Sequence, residues 1–324
     1  MSTINKIKSP IKLEMSLFEE KFKESLKTNV SLLDKIMHYI IKRKGKQMRP
    51  MFVFLCAKSF DKITDSTYNA ASMIELLHTA TLVHDDVIDE SNFRRGFFSI
   101  NALWKNKIAV LVGDFLLSRG LLLAVEKEEF QLLKIVSRAV KEMSEGELLQ
   151  IEKTRRLNIT EEIYFEIIRK KTATLIAACC ESGASSINTT TDNIESMRLF
   201  GENAGIAFQI KDDLFDYTQS PIIGKPTGLD IREKKMTLPL IYTLNKVDKK
   251  TNKFIINTIK NDSKNQIKIT KIINIVKDEG GLIYAEEKMK TYYKKGKEIL
   301  NKLEQNDAVK SLHLLMDYVV NRKK

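Results

Sequence analysis

IELLHTATLVHDDVIDESNFRRG, residues 74–96, sets Asp85, Asp86 and Asp89 into a run of apolar residues spaced three and four apart. On a helix, positions i and i+4 lie one above the other, so Asp85 and Asp89 share a face about one turn apart, with Asp86 on its flank. Like charges at that spacing repel, and Leu82, Val83, Val87 and Ile88 offer no solvation. Such a cluster is tolerable only where cations neutralise it. GIAFQIKDDLFDYTQS (205–220) repeats the spacing with Asp212, Asp213 and Asp216.

The same three- and four-residue period runs outward from these stretches through most of the chain, which predicts helices and not strands. They are expected near 14–27, 30–44, 50–60, 66–92, 100–124, 128–153, 160–183, 191–218, 236–246, 250–277 with breaks, 281–304 and 307–320. Pro50 is expected to open its helix. The 324 residues hold only 13 Gly and 5 Pro, and no proline falls between Pro50 and Pro221. A sheet protein could hardly make its turns with so few breakers, so the expected class is all-α. No repeat or linker divides the chain, and a single domain over 1–324 is expected, its N-terminal 40 residues being the less characteristic part.

Composition removes several functions. Cys56, Cys179 and Cys180 lie in apolar stretches and fit neither a disulfide framework nor a zinc site, which suggests a reducing cytoplasmic setting. The N-terminus lacks a signal-like apolar core, and no uninterrupted apolar window of spanning length is present, so membrane insertion is not expected. The formal net charge of +12 raises nucleic acid as a partner. The excess is Lys mixed with Asn and Ile, as in TNKFIINTIKNDSKNQIKITKIINIVK (251–277), a solvated pattern, and no nucleic-acid partner is expected. Arg is scarce beside Lys, so an Arg near an acidic cluster suggests a phosphate that needs its fork.

Magnesium takes one or two protein carboxylates and fills its shell with phosphate oxygens, so two carboxylate clusters imply a diphosphate clamp. Lys46 and Arg49 in KGKQMRP (44–50), Arg94 and Arg95 after the first cluster, and Lys225 and Lys235 after the second supply cations for the same ligand. Gly224-Lys225 is no phosphate-cradling loop, because Gln219 and Pro226 occupy the positions that motif reserves for Gly and Ser/Thr. His78, two turns before Asp85, lies on nearly the same face, while His84 reads as a core histidine. Gln150, Lys171, Thr172 and Gln209 are polar interruptions of apolar helices that call for a partner.

HDDVIDES with RRG, FQIKDDLFDY, and Gly45 to Pro50 together resemble the polyprenyl diphosphate synthase family of trans-prenyltransferases. So do NALWKNKIAVLVGDFLLSRG (101–120), GELLQ (146–150), KTATL (171–175) and GKPTGLDIREKKMTLPL (224–240). The likeness runs from about residue 40 to the end, with Lys44 and Lys234 where glycine is common. It implies an isoprenoid-synthase-type helical bundle around a deep cavity, usually a homodimer, that condenses isopentenyl diphosphate head to tail with an allylic diphosphate. Asp85, Asp89 and Asp212 are then the expected Mg2+ ligands, three ions per site, with Asp86, Asp213 and Asp216 beside them. Arg94, Lys171, Lys225 and Lys235 would hold the allylic diphosphate, and Lys46, Arg49, His78 and Arg95 isopentenyl diphosphate. Small residues at Ala80 and Thr81 resemble long-chain members, which suggests a long all-trans product for a quinone side chain, with a shorter farnesyl or geranylgeranyl product as the alternative. A terpene cyclase fits less well, since its second metal motif is normally of Asn/Ser/Glu type.

Overall fold

The computed structural model describes residues 3–43, 45–60, 62–94, 96–218 and 227–322. Helix α1 (Thr3–Lys8) passes through a 3-10 turn (Ser9–Ile11) into α2 (Lys12–Ser25), and α3 (Ser31–Lys42), α4 (Met48–Lys58) and α5 (Asp65–Ile88) follow. A small antiparallel hairpin, β1 (Phe93–Arg94) and β2 (Phe97–Phe98), precedes α6 (Ile100–Glu126) and α7 (Phe130–Arg156). Helix α8 (Glu161–Ile168) runs through a π turn (Arg169–Ala173) into α9 (Thr174–Ser185). Next come α10 (Thr191–Asp216), the single turn α11 (Leu229–Arg232) and α12 (Leu238–Lys246). The chain closes with α13 (Lys249–Asn261), α14 (Gln266–Asp278), α15 (Gly281–Asn301) and α16 (Asp307–Asn321).

The all-α expectation holds, with local differences that have causes. The hairpin turns at Gly96, whose φ of +80° favours glycine, and two residues per strand carry no period to read. The stretch 250–277 is two helices because the Asn265 side chain accepts the Lys268 N–H at 3.2 Å and starts α14 afresh. Pro50 is the third residue of α4 and not the first. That costs nothing, since no N–H of a first turn has an intrahelical acceptor.

Chain packing divides into two compact units. The first comprises Met1–Val140, Ala178–Arg198 and Leu303–Leu314. Its α5 starts at a reciprocal cap, with the Thr64 and Thr67 hydroxyls each accepting the other residue's N–H. Leu76, Ala80 and Val83 of α5 pack with Ala109, Val112 and Leu116 of α6 and Ile36 and Met37 of α3. Gly113 leaves room for the His84 ring, whose Nε2 is 3.2 Å from the Val110 carbonyl.

The second unit comprises Lys141–Ala177, Leu199–Lys302 and Leu315–Lys324. There α12 packs on α8, α14 and α15, and the bare Cα of Gly281 lets α15 lie against the Pro239 carbonyl of α12. Ile210, Leu214, Tyr217, Ile231 and Leu238 are buried around the end of α10.

Helix α6 is long and apolar enough to cross a membrane by length and composition, with a mean hydropathy of 2.0 over its most apolar window. Only 28% of that window is buried. Near its start, Lys105 holds φ 72° and ψ 159° and kinks the helix. That region is essentially reserved for glycine, and a side chain there costs about 1–3 kcal/mol. Replacing Lys105 by Gly should therefore raise the unfolding free energy by about 1 kcal/mol, read as a higher urea midpoint at unchanged slope.

Candidate active site

In the first unit the acidic cluster lies at the C-terminal end of α5. Asp85 is half-buried in the last turn, and its carbonyl accepts the Asp89 N–H at 2.8 Å. Asp89 is exposed and caps the helix, so the two outer carboxylates stand at the negative end of the helix dipole. Asp86 turns inward and is only 3% exposed. Arg94 of the hairpin donates from Nε to both its oxygens at 2.8 and 2.9 Å, while Asn101 Nδ2 donates to the Asp86 carbonyl at 3.1 Å. The Arg94 fork, expected on a diphosphate, is thus engaged with Asp86.

A cleft of about 940 Å3, open to solvent, runs along this face of α5 and is lined by His78, Thr79, Leu82, Val83, Asp86 and Arg94. His78 is buried, and its carbonyl accepts the Thr81 hydroxyl at 2.9 Å. The cleft is also lined by Arg43, Tyr39 and Phe97, which the sequence reading did not single out. The Arg43 guanidinium is 4.0 Å from the ring centres of Tyr39 and Phe97, and the Tyr39 hydroxyl donates to the Phe98 carbonyl at 2.5 Å. Together they fix the hairpin that carries Arg94. Lys46 is exposed in the segment before α4, where Gln47 takes a left-handed φ of 55°, and Arg49 is half-buried in the first turn. Ala80 is fully buried in the seam of α5 and α6, Thr81 is half-buried, and neither lines the cleft. Arg95 lies outside the described residues.

In the second unit Asp212, Asp213 and Asp216 end α10. Asp213 accepts the Tyr164 hydroxyl at 2.6 Å and Gln209 Nε2 at 2.8 Å, and the Thr172 hydroxyl donates to Gln209 Oε1 at 2.7 Å. Thr172 and Lys171 stand on the π turn, which offsets the helix so that both line one pocket of about 580 Å3 with Gln150, Asp213, Asp230 and Lys235. Lys171 Nζ donates to Gln150 Oε1 at 2.9 Å and pairs with Glu147 at 2.5 Å. The Asp216 carboxylate accepts the N–H groups of Leu229 and Asp230 at 2.8 and 3.1 Å and so caps α11. Asp212 pairs with Arg322 at 2.5 Å, whose guanidinium packs 3.9 Å from the Phe208 ring centre. Lys225 lies outside the described residues.

Burial raises all of these carboxyls. It pushes Asp213 up to about 6, against the Tyr164 and Gln209 hydrogen bonds, with Asp212 adding to the rise. Asp230 is pushed up to about 7 by burial and then by the charges of Asp213 and Asp216. Asp212 rises through burial despite Arg322, and Asp216 through burial despite its N–H donors. Asp230 and Tyr164 escaped the sequence reading, because a lone Asp after Gly228 and a Tyr in an apolar helix carry no spacing signal.

The donor set in both clusters is oxygen alone, the kind that suits Mg2+. Among the described residues no three His, Cys, Asp or Glu side chains form a ready cage.

The sequence model of the polyprenyl synthetase family matches residues 30–276. The chain belongs to the polyprenyl synthetase family. This synthetase is a prenyltransferase, and it is 36% identical over 284 residues to an all-trans-nonaprenyl-diphosphate synthase (geranyl-diphosphate specific) of Rhodobacter capsulatus, spanning 87% of this chain and 86% of the relative. The crystal structure of a decaprenyl diphosphate synthase from Rhodobacter capsulatus matches it with a TM-score of 0.93 at 31% identity, over 99% of both chains. That of geranylgeranyl pyrophosphate synthase from Bacteroides thetaiotaomicron matches with a TM-score of 0.85 at 38% identity, over 99% of this chain and 100% of the other.

The raised carboxyls make the stability of the synthetase depend on pH. An unfolded aspartate titrates near about 3.9, so between about pH 4 and 7 the folded chain holds protons on Asp213 and Asp230 that the unfolded chain has released. Their contribution therefore weakens stability as pH rises through that window. Urea unfolding in metal-free buffer should show it, with Asp213→Asn and Asp230→Asn each flattening the profile.

Proposed function

We propose that the synthetase condenses isopentenyl diphosphate head to tail with an allylic diphosphate to give a long all-trans polyprenyl diphosphate for a lipid such as a quinone, the two units acting as one domain over 1–324. The observation that carries this reading is the pair of oxygen-only carboxylate clusters, each ending a helix and each met by an arginine, Arg94 on Asp86 and Arg322 on Asp212.

Asp85, Asp89 and Asp212 are the proposed Mg2+ ligands, for three ions per site. The metal supplies, when bound, Lewis-acid stabilisation of the charge that develops on a departing diphosphate. Asp86 and Asp213 hold their neighbouring carboxylates in place through Arg94 and through Tyr164 with Gln209, and Asp216, beside the ligands, caps the start of α11. Lys171, Lys225, Lys235 and Arg94 bind the allylic diphosphate, with Thr172 and Gln209 orienting Asp213. Lys46, Arg49, His78 and Arg95 bind isopentenyl diphosphate. These cations are preorganised where leaving-group charge appears, and apolar walls keep water from the allylic cation. The last proton goes to the released diphosphate. Two copies are proposed to cover the exposed Leu103, Val110, Leu111, Leu121, Leu122 and Val125 of α6, which keeps that helix in a cytoplasmic dimer and out of a membrane.

Incubation with labelled isopentenyl diphosphate, each allylic primer and Mg2+, resolved by product length, tests the reading. Asp85→Ala and Asp212→Ala should each lower turnover by orders of magnitude while the thermal transition is kept. Near-wild-type product from either variant at saturating Mg2+ would sink it.

Product length is proposed to depend on the small residues Ala80 and Thr81. Thr81→Phe should shift products toward fifteen or twenty carbons, as should Ala80→Phe, which also overpacks a filled seam and lowers the melting temperature. An unchanged product distribution from Thr81→Phe, or a wild-type product of twenty carbons or fewer, would decide for the short-chain alternative that the geranylgeranyl-synthase likeness favours.

A further inference from the structure

Ile159 and Met236, both buried, wall the pocket that holds Lys171, Asp213 and Asp230. The same two side chains also line a second cavity in the same unit, about 830 Å3 and open to solvent. Ile241, Leu244 and Ile256 line it together with Asn245 and Asn252, and the exposed Arg155, Arg156 and Lys260 stand at its rim. No carboxylate lines it among the described residues. In the neighbouring pocket, by contrast, Lys171 and Lys235 face Asp213 and Asp230.

Among the described residues nothing answers these charges. Arg155 and Arg156 make no ion pair, hydrogen bond or ring contact through their side chains among the described residues, and neither does the Lys260 ammonium. Every other described arginine has a partner, from Arg43 on its two rings to Arg94 on Asp86 and Arg322 on Asp212. The C-terminal end of α7 explains a general preference for cations there. It does not explain the apolar side chains that line the cavity with them. Leu157, held at a left-handed φ of 52° and bonded through its N–H to the Lys153 carbonyl at 3.0 Å, turns the chain at this rim and itself lines the cavity.

Two guanidinium forks beside apolar side chains match a phosphate head on an apolar tail. We propose that this cavity is a second binding site for a prenyl diphosphate, its head on Arg155 and Arg156 and its first isoprene units on Ile241, Leu244 and Ile256. The occupant follows from the reading in the preceding subsection, on which this inference rests. A prenyltransferase works on prenyl diphosphates, an amphiphile whose head takes two guanidinium forks and whose tail takes apolar side chains. The volume suits a ligand of that size, since small-molecule sites run to about 300–1,000 Å3.

Titration calorimetry on the full chain with a non-hydrolysable farnesyl thiolodiphosphate tests the site. Wild type should bind two equivalents per chain. The Arg155→Gln/Arg156→Gln double variant should keep one and bind the second at least tenfold more weakly, with turnover at low primer concentration unchanged. Ile256→Asp, which puts a carboxylate in the cavity, should weaken the same equivalent, and inorganic diphosphate should occupy it at least tenfold more weakly than the prenyl analogue. A single equivalent in wild type, or two undiminished equivalents in the double variant, would overturn the proposal. So would a wild type that binds one equivalent but floats with phosphatidylglycerol vesicles through the two arginines, which would make the rim a lipid contact. Loss of wild-type turnover on isopentenyl diphosphate would instead strike the functional reading itself.

Discussion

Repulsion among carboxylates at the end of an apolar helix is the constraint on which the surroundings of each acidic cluster depend. Asp85 and Asp86 end α5 with Asp89 as its cap, and Asp212, Asp213 and Asp216 end α10. At a helix C-terminus the backbone dipole adds negative potential to charges that already repel. Every local effect therefore asks for cations. The chain supplies an arginine to each cluster, Arg94 to Asp86 and Arg322 to Asp212.

The DDxxD pattern needs three aspartates because they do different work. The middle one in each cluster is buried and spent on hydrogen bonds within the protein. Asp86 lies under the Arg94 fork, and Asp213 lies between Tyr164 and Gln209. A central carboxylate so held fixes the rotation of the helix end, and with it the directions of the outer two. The last aspartate differs between clusters. Asp89 is exposed, whereas Asp216 takes the first N–H groups of α11, after Gly228 turns at φ +80° where a Cβ would strike Ile269. One carboxylate thereby anchors the return of the chain toward Asp230 and Lys235.

The helices and both clusters were legible because apolar period and carboxylate spacing are local patterns. Much of the binding surface around them was not. Arg43 stacks on Phe97 and Tyr164 reaches Asp213 across gaps of 54 and 49 residues, and no window of sequence relates such positions. The π turn was hidden for another reason: Arg169 to Ala173 continues an apolar helical pattern, and one extra residue in a turn changes backbone geometry without changing composition. Arg94 was assigned to a ligand from its type and position. Its pairing with Asp86 follows from a hairpin two residues deep, too short to read. Ala80 was legible as small, but smallness alone does not say what lies beside it, and only the fold shows it buried in the seam of α5 and α6.

Burial keeps protons on carboxyls at the end of α10. With Asp213 near 6 and Asp230 near 7, these carboxyls still hold part of their protons at neutral pH, because burial and mutual repulsion oppose a second negative charge. Added positive charge nearby reverses that balance and drives the protons off. The pocket is therefore less negative at neutral pH than its formula. A cluster of the same aspartates in solvent would be fully ionised, because water would solvate each charge and screen it from the next.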